Sequence, residues 1–211
     1  MPRGSRAETE KNRGAIEQAS SRLFRERGLQ ASLKGVMGAA GLTHGGFYGH
    51  FKSKDDLVAA ACASAFAASV ERWSARCADA VDRRAAHASL IENYLKPGKR
   101  SPMGTGCPLP ALATDVAREP QGKPVRRVFR DGLEQLIGIL SGVEPLDSAG
   151  AARERALSEL ATLVGAMVLA RATMGSELSD ELLSAAKRSL LEERGLKRTN
   201  IPRKPRVRRT P

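Results

Sequence analysis

The chain has 211 residues, of which 41% are hydrophobic and 4% aromatic, and it carries a net charge of +12. This length allows one large domain or two small ones, and a composition rich in Ala, Leu, Arg and Glu favours helices over sheets. Because no apolar run reaches the roughly 18 residues of a membrane span, and the polar first residues lack the apolar core of a signal peptide, we expect a cytoplasmic protein.

The positive charge is concentrated near the two ends of the chain. Residues 1–60 carry a net charge of +4 and residues 195–211 one of +7, whereas residues 61–194 carry only +1. Nucleic acid is the commonest partner of such basic segments, and an anionic membrane surface is the second. The middle of the chain is balanced like an ordinary soluble domain.

The first fifty residues predict three short helices. Four apolar residues at helical spacing indicate the first helix, which begins near residue 11: Ile16, Ala19, Leu23 and Phe24. Gly28 follows it, where a helix-ending glycine belongs. Ser32 is a candidate N-cap of the second helix, which Gly41 closes. Thr43 is a candidate N-cap of a very short third helix from about residue 44 to 50.

Longer helices are predicted for the rest of the chain. A capping box, Ser-Lys-Asp-Asp at 53–56, opens a fourth helix that we expect to reach about residue 81. Further helices are expected at 84–95, 108–118, 124–140, 149–174 and 178–194, with a Gly/Pro/Ser-rich loop before residue 108. Residues 195–211 hold three prolines and seven cations and predict a disordered tail. We find no strand pattern, so the predicted fold class is all-α.

The second and third helices, joined by a tight glycine turn, form a helix-turn-helix arrangement. The stretch GLTHGGFYGHFKSK at 41–54 follows the order Gly-Leu-Thr-x-Gly-x-Phe-Tyr-x-His-Phe-x-Ser-Lys. With the residues around it, it resembles the N-terminal DNA-binding domain of the TetR family of bacterial transcriptional regulators. A second segment, GCPLPALATDVARE at 106–119, resembles a sequence found in a subset of that family.

The resemblance implies two helical domains and a tail. Residues 1–52 are expected to form the helix-turn-helix DNA-binding domain, and residues 53–194 a helical domain for effector binding and dimerisation. Residues 195–211 form the basic tail, which is either a functionless extension or a source of nonspecific DNA affinity through counterion release.

The glycines of the third helix are its most unusual feature. A glycine inside a helix costs roughly 1 kcal/mol relative to alanine, but it lets the backbone approach a phosphate or a base edge closely. Because the start of a recognition helix enters the major groove, we expect Gly45 and Gly46 to clear that space. Gly49 is expected to pack against the first helix instead.

Phosphate contacts are predicted around the start of the third helix. Thr43 and His44 lie where the helix N-terminus offers partial positive charge and free N–H groups. The resemblance implies a phosphate contact for the Tyr48 hydroxyl, with simple packing as the alternative. Lys54, which opens the fourth helix, is similarly placed for a backbone contact.

The opening of the second helix supplies the remaining DNA contacts. Ser32 and Lys34 are expected to clamp the flanking phosphate. Since base contacts set the sequence preference, we assign base reading to His44, Gly45 and Lys34. Phe47 and Phe51 are expected to be core residues that hold the third helix in place.

No feature of the sequence indicates a metal, a cofactor or an active site. His44 and His50 are six positions apart, on different helical faces, whereas ligand pairs prefer a spacing of four. Three cysteines without a CxxC spacing argue against a zinc site and a disulfide framework. No GxSxG, HExxH, glycine-rich phosphate loop or paired carboxylates are present, so we do not expect an enzyme.

The family resemblance assigns dimerisation to the last two helices and effector binding to the helical body. One apolar face holds Leu157, Leu160, Val164, Met167 and Val168, and the other holds Leu182, Leu183, Ala186, Leu190 and Leu191. Such stripes suit a four-helix bundle between two chains, and the alternative is that they face the chain's own core. The candidate effector pocket consists of the large side chains Phe66, Trp73, Tyr94, Leu112 and Phe129, for which plain core packing is the alternative.

Cys107 is a candidate redox or electrophile sensor. It precedes a predicted helix, whose N-terminus is expected to lower the pKa of the thiol, and the matching cysteine in some TetR relatives responds to electrophiles or oxidants. The alternative is a small buried hydrophobic residue without reactivity. Cys62 and Cys77, inside the fourth helix, are expected to be inert.

These observations predict a homodimeric DNA-binding transcriptional regulator. We expect a repressor that leaves a palindromic operator when a small molecule binds or when Cys107 is modified. The alternative is a basic helical protein that binds anionic membrane surfaces.

Overall fold

The computed structural model describes residues 6–144 and 148–192, and their regular structure is entirely helical. The α-helices are α1 (Arg6–Arg27), α2 (Leu33–Ala39), α3 (Lys54–Ala78), α4 (Arg83–Tyr94), α5 (Leu109–Arg118), α6 (Pro124–Val143), α7 (Ala149–Ala172) and α8 (Glu177–Glu192). Three short 3-10 helices join them: η1 (His44–Gly49), η2 (Pro97–Lys99) and η3 (Met103–Thr105). Across these residues, no helix has the length and apolar character needed to traverse a lipid bilayer.

The predicted helix ends are largely confirmed. Ser32 Oγ accepts a hydrogen bond of 3.1 Å from the Gly35 N–H, and Ser53 Oγ accepts one of 3.1 Å from the Asp56 N–H. Gly28 and Gly41 end α1 and α2 with φ of +80° and +72°, the left-handed conformation that favours glycine. Thr43 occupies the N-cap position of η1, but its side chain accepts no capping hydrogen bond.

Some boundaries differ from the prediction. α3 ends at Ala78 rather than near residue 81, because Asp79 caps it and Asp82 starts α4 by accepting from the Ala85 N–H at 2.7 Å. α6 continues to Val143, three residues beyond the predicted end. The predicted tail at 195–211 lies outside the described residues.

A single hydrophobic core joins the two ends of the molecule. α3 packs along α6 and also against α1, while α7 packs between α6 and α8. The core runs from Ile16 on α1 through Leu57 on α3 to Leu190 on α8. The amino-terminal helices therefore rest on the same continuous apolar interior as the helical body.

Candidate DNA-binding surface and effector cavity

The α2–η1 unit presents most of the predicted DNA contacts to solvent. Ser32, Lys34, Thr43, His44, Gly45 and Tyr48 are all exposed, and Lys54 is half-buried. The Tyr48 side chain is 71% exposed, so its hydroxyl is available to a partner. Helix η1 is a 3-10 helix of six residues rather than an α-helix.

Phe47 and Phe51 anchor η1 from beneath, as predicted. Both are buried, and their rings stack with centroids 5.9 Å apart. Tyr48 packs edge-on against Phe47 at 5.1 Å while the rest of its side chain points outward. The aromatic core thus holds the exposed face of η1 in a fixed orientation.

The glycines of η1 leave open space on its outer face. A Cβ at Gly45 or Gly49 would meet no atom within 4 Å, and one at Gly46 would make only ordinary contacts of 3.9 Å with Met37 and Thr43. The expectation that Gly49 packs against the first helix is therefore wrong, because nothing from α1 approaches it. None of the three has a positive φ, so neither packing nor backbone conformation inside the chain requires glycine at these positions.

Arg13 on α1 fixes the far end of η1, a role that was not predicted. Its Nη1 donates a hydrogen bond of 2.7 Å to the carbonyl of His50. Its guanidinium also lies 4.5 Å from the centre of the Phe51 ring, and Glu17 pairs with it at 3.1 Å. The pairing crosses 37 residues of sequence, so spacing rules for a single helix do not reveal it.

A cavity of about 540 Å³ lies in the helical body, between α3, α4, α7 and the segment before α5. Trp73 and Tyr94 line it and meet edge to face, with ring centroids 6.0 Å apart. The other three predicted pocket residues lie elsewhere. Phe66 and Phe129 pack against each other at 5.3 Å, and Leu112 is buried in the core. Aromatic content alone could not separate cavity from core, since both kinds of site use the same side chains.

Cationic side chains surround this cavity. Arg72, Arg76, Lys99 and Arg171 line it, against a single acidic residue, Asp79. No local sequence pattern marks these cations, because they come from separate segments that only the fold brings together.

Cys107 also lines the cavity, half-buried, two residues before α5 begins. Burial raises the pKa of its thiol, although the backbone N–H of Leu109, Tyr94, Arg72 and Arg171 act in the opposite direction. The predicted lowering of this pKa is therefore wrong, because removal from water outweighs the favourable neighbours. For Cys62, burial raises the pKa to about 12, consistent with an inert thiol.

The segment that carries Cys107 is seated directly on α1. Arg25, a buried residue of α1, donates from Nη1 to the carbonyl of Gly106 at 2.7 Å. Gly104 lies against the side chains of Glu26 and Arg22, with no room for a Cβ. A second link follows at the end of α1, where the Leu29 N–H donates to Asp115 of α5 at 2.9 Å.

A buried ionic cluster joins α4, the end of α6 and α7, and it too was not predicted. His87 Nε2 lies 2.7 Å from Glu159 Oε2 and 3.1 Å from Glu144 Oε1, and Arg155 pairs with Glu159 at 3.0 Å. The His87, Glu144 and Glu159 donor atoms lie within 4.8 Å of one another, so within the described residues they form a set that could hold a metal ion. As an ion cluster it fastens three helices together in the interior.

The apolar faces of α7 and α8 are divided between core and surface. Leu160, Met167, Leu183 and Leu190 are buried in the chain's own core, as the alternative interpretation held. By contrast, five large apolar side chains on α7, on α8 and between them remain exposed by 39–58%: Leu157, Val168, Leu169, Met174 and Leu178. Apolar area of this extent on two neighbouring helices is a feature of interaction surfaces.

Comparison with known proteins agrees with this architecture. The sequence profile described as "Bacterial regulatory proteins, tetR family" matches residues 16–61, which run from α1 through η1 into α3. The reduced form of NemR from E. coli superposes with a TM-score of 0.73 at 21% identity, over 86% of this chain and 95% of that chain. No curated protein matches the sequence.

Two further solved structures share the fold. A TetR-family regulator from Agrobacterium tumefaciens gives a TM-score of 0.72 at 21% identity, over 88% of this chain and 98% of that one. A TetR transcriptional regulator from Chloroflexus aurantiacus J-10-FL gives a TM-score of 0.73 at 22% identity, over 88% of this chain and 95% of that one. Residues 16–61 therefore match the profile of the TetR-family DNA-binding domain, and the described chain shares the all-helical fold of these solved structures.

Proposed function

We propose that the chain is a homodimeric repressor that binds a palindromic operator and releases it when the cavity is filled or Cys107 is modified. The observation that carries the proposal is η1: an exposed, glycine-rich surface with open space above it, held rigidly by a buried aromatic base. In this proposal residues 1–52 bind DNA, and residues 53–194 bind the effector and dimerise.

The DNA contacts follow from the positions of the exposed groups. Thr43, His44 and Tyr48 lie on or next to η1 and reach phosphates, and Gly45 lets the η1 backbone approach the base edges. Ser32 Oγ accepts a hydrogen bond from the Gly35 N–H. Since Ser32 is exposed, its hydroxyl hydrogen is the group that we expect to donate to a phosphate. Lys34 and Lys54 flank the groove with positive charge.

Dimerisation through α7 and α8 is supported by the spacing of apolar residues on α7, of which Leu157 and Val168 are exposed and Val164 is half-buried. Leu157, Ala161, Val164 and Val168 follow one another at intervals of four, three and four, which is one face of a helix. Two copies paired through this face form a four-helix bundle with the two α8 helices. A two-fold dimer places two η1 helices about 34 Å apart or a multiple of that distance, which requires a palindromic operator.

Release is proposed to pass from the cavity to α1. The segment 104–107 borders the cavity and contacts α1 through Arg25, so a ligand or a modified Cys107 that shifts this segment also shifts α1. Since α1 holds η1 through Arg13, the spacing of the two η1 helices in the dimer changes, and both half-sites no longer fit at once. Two relatives illustrate the stimuli: FadR from Bacillus subtilis was solved in complex with stearoyl-CoA, and NemR in a reduced form.

Selection of binding sequences from random duplex DNA tests this proposal. We expect an enriched palindrome with half-sites separated by one helical turn or a multiple of it. Failure to enrich any sequence at low ionic strength, combined with flotation of the protein on anionic liposomes, would support the membrane-surface alternative instead.

The role of Cys107 needs its own test. Operator release by N-ethylmaleimide or hypochlorite is compared between the wild type and Cys107→Ser, with Cys77→Ser as the matched control. We expect Cys107→Ser alone to retain the operator. Equal release from all three proteins would assign the sensing to another group.

A further inference from the structure

We propose that the cavity is built for an amphipathic anion, a carboxylate or phosphate monoester carried on an apolar body. This inference rests on the proposed function, since the cavity is the effector site of that proposal, and it names the chemical class of the effector. Three observations carry it: the charge around the cavity, the state of Arg171, and the apolar wall opposite.

The charge around the cavity is unbalanced. Four cations, Arg72, Arg76, Lys99 and Arg171, face one carboxylate, Asp79. None of the ion pairs among the described residues uses the three arginines. Arg72 donates to Ser69 Oγ at 3.0 Å and Arg76 to Ser89 Oγ at 3.3 Å, so these hydrogen bonds go to neutral groups rather than to a carboxylate.

Arg171 is the cavity cation whose guanidinium is only partly hydrogen-bonded within the described residues. Its Nε donates to the Arg100 carbonyl at 3.1 Å and its Nη2 to the Lys99 carbonyl at 3.4 Å, which fixes the plane of the guanidinium. Its Nη1 is buried and has no hydrogen-bond partner in the described part of the chain. Burial also lowers the pKa of this guanidinium, and Tyr94 and Cys107 oppose that effect only in part. A bound anion would supply both the missing acceptor and the missing charge.

The rest of the cavity suits an apolar body. Trp73 and Tyr94 form an aromatic corner, and Met167 and Val81 add aliphatic surface. A volume of about 540 Å³ is within the range that buries a drug-sized ligand. A cationic ligand would face repulsion from four side chains, and a neutral one could accept a hydrogen bond from Arg171 Nη1 without offsetting the positive charge of the cavity.

Trp73 makes the inference measurable, because it is the one tryptophan of the sequence and lies in the cavity wall. Its fluorescence is followed while the full chain is titrated with decanoate, decyl phosphate, decanamide and decyltrimethylammonium, all below their micelle concentrations. We expect saturable binding of at least one of the two anions, with a Kd about tenfold or more below those of the amide and the ammonium. A lower Kd for decanoate indicates a carboxylate site, and a lower Kd for decyl phosphate indicates a phosphate site.

Variants locate the anion. Arg171→Gln and Arg72→Gln should each weaken anion binding about tenfold. The difference between the Kd of the anion and the Kd of decanamide should become smaller in both variants. Arg130→Gln, an exposed arginine paired with Asp131 on α6, should leave anion binding unchanged. Arg72→Gln keeps the test valid if Arg171→Gln fails to fold, since Arg72 is exposed at its outer side. The bound anion should also slow alkylation of Cys107, which borders the same space.

The inference is overturned if decanamide binds as tightly as the anions, or if both cavity variants bind like the wild type. Either result leaves the proposed function untouched, because operator selection does not depend on which ligand fills the cavity. Conversely, if the chain binds the anion but enriches no operator from random DNA, the anion site stands and the proposed repressor role is wrong.

Discussion

At the scale of single residues, the proposed function depends most on Gly45 of η1 and on Cys107 beside the cavity. Gly45 stands out in the sequence because glycine is costly in a helix, and no atom of the described residues lies close enough to its Cβ position to require glycine there. Cys107 also stands out in the sequence, but its environment depends on burial and on neighbours from other elements, so the predicted direction of its pKa was wrong.

Gly45→Leu should remove operator binding without harming the fold. The added Cβ meets no atom of the described residues within 4 Å, whereas the leucine side chain would occupy the space assigned to the base edges. We expect an affinity loss of about 1–3 kcal/mol or more, measured by gel shift on the selected operator. Gly138→Leu, at an exposed and equally open position of α6, is the control and should bind normally. Unchanged circular dichroism is expected for both, and a normal gel shift for Gly45→Leu would contradict the docking geometry.

The alkylation rate of Cys107 should reveal its raised pKa. A thiol whose pKa is raised stays protonated at neutral pH, and the thiolate is the reactive form. In a Cys62→Ser, Cys77→Ser background, the rate with N-ethylmaleimide should therefore be slower at pH 7 than that of a small free thiol. The alkylation rate of Cys107 should also keep rising with pH in the range where the rate of the free thiol has become constant. A plateau at a lower pH than the free thiol would mean that the arginines, not burial, dominate.

At the scale of secondary structure elements, helix existence was predictable and helix contacts were not. Apolar spacing and cap residues such as Ser32 and Ser53 act within four residues, so the sequence shows them directly. The contact of Arg25 with Gly106 spans 81 residues, and that of His87 with Glu159 spans 72. Such pairings depend on how helices pack, and no local pattern encodes them.

Arg25→Met should uncouple the cavity from the DNA-binding surface. The methionine retains apolar length but cannot donate to the Gly106 carbonyl. Mass spectrometry should show normal alkylation of Cys107, while fluorescence anisotropy shows that labelled operator stays bound after alkylation. Arg27→Met, an exposed arginine two residues along α1, is the control and should release the operator as the wild type does. Full release from the Arg25 variant would mean that the signal takes another route.

His87→Ala should destabilise the fold far more than loss of a surface ion pair. It removes the imidazole between two buried carboxylates, a change that costs about 3–5 kcal/mol in buried pairs. Glu134→Gln removes the exposed pair with Arg153 and should cost less than about 1 kcal/mol. Urea unfolding at constant pH measures both. Similar midpoints for the two variants would show that the buried cluster contributes little to stability.

At the scale of the whole molecule, the fold class and the two-domain plan followed from composition and from one specific motif. The sequence does not predict which apolar residues of α7 and α8 face the core and which are exposed, because both faces of these helices are apolar. Leu160 and Met167 belong to the chain's own core, and Leu157 and Val168 on the neighbouring face remain exposed. Only the packing of α7 against α6 and α8 separates the two faces.

The double substitution Leu157→Glu and Val168→Glu should convert the proposed dimer to a folded monomer. Both side chains are exposed, by 45% and 39%, so charge there does not disturb the core, but it places like charges across the two-fold interface. Sedimentation equilibrium should give the mass of one chain. Operator affinity should fall by about a hundredfold or more, since two linked half-site contacts become one.

Val81→Glu is the matched control, because Val81 is 93% exposed and belongs to the connection between α3 and α4 rather than to α7 or α8. It should remain dimeric and bind the operator. A monomeric wild type would remove the two-fold operator from the proposal, because one η1 helix reads one half-site. A double variant that stays dimeric would move the interface to another surface, and the 34 Å spacing argued from α7 and α8 would have to be derived again from that surface.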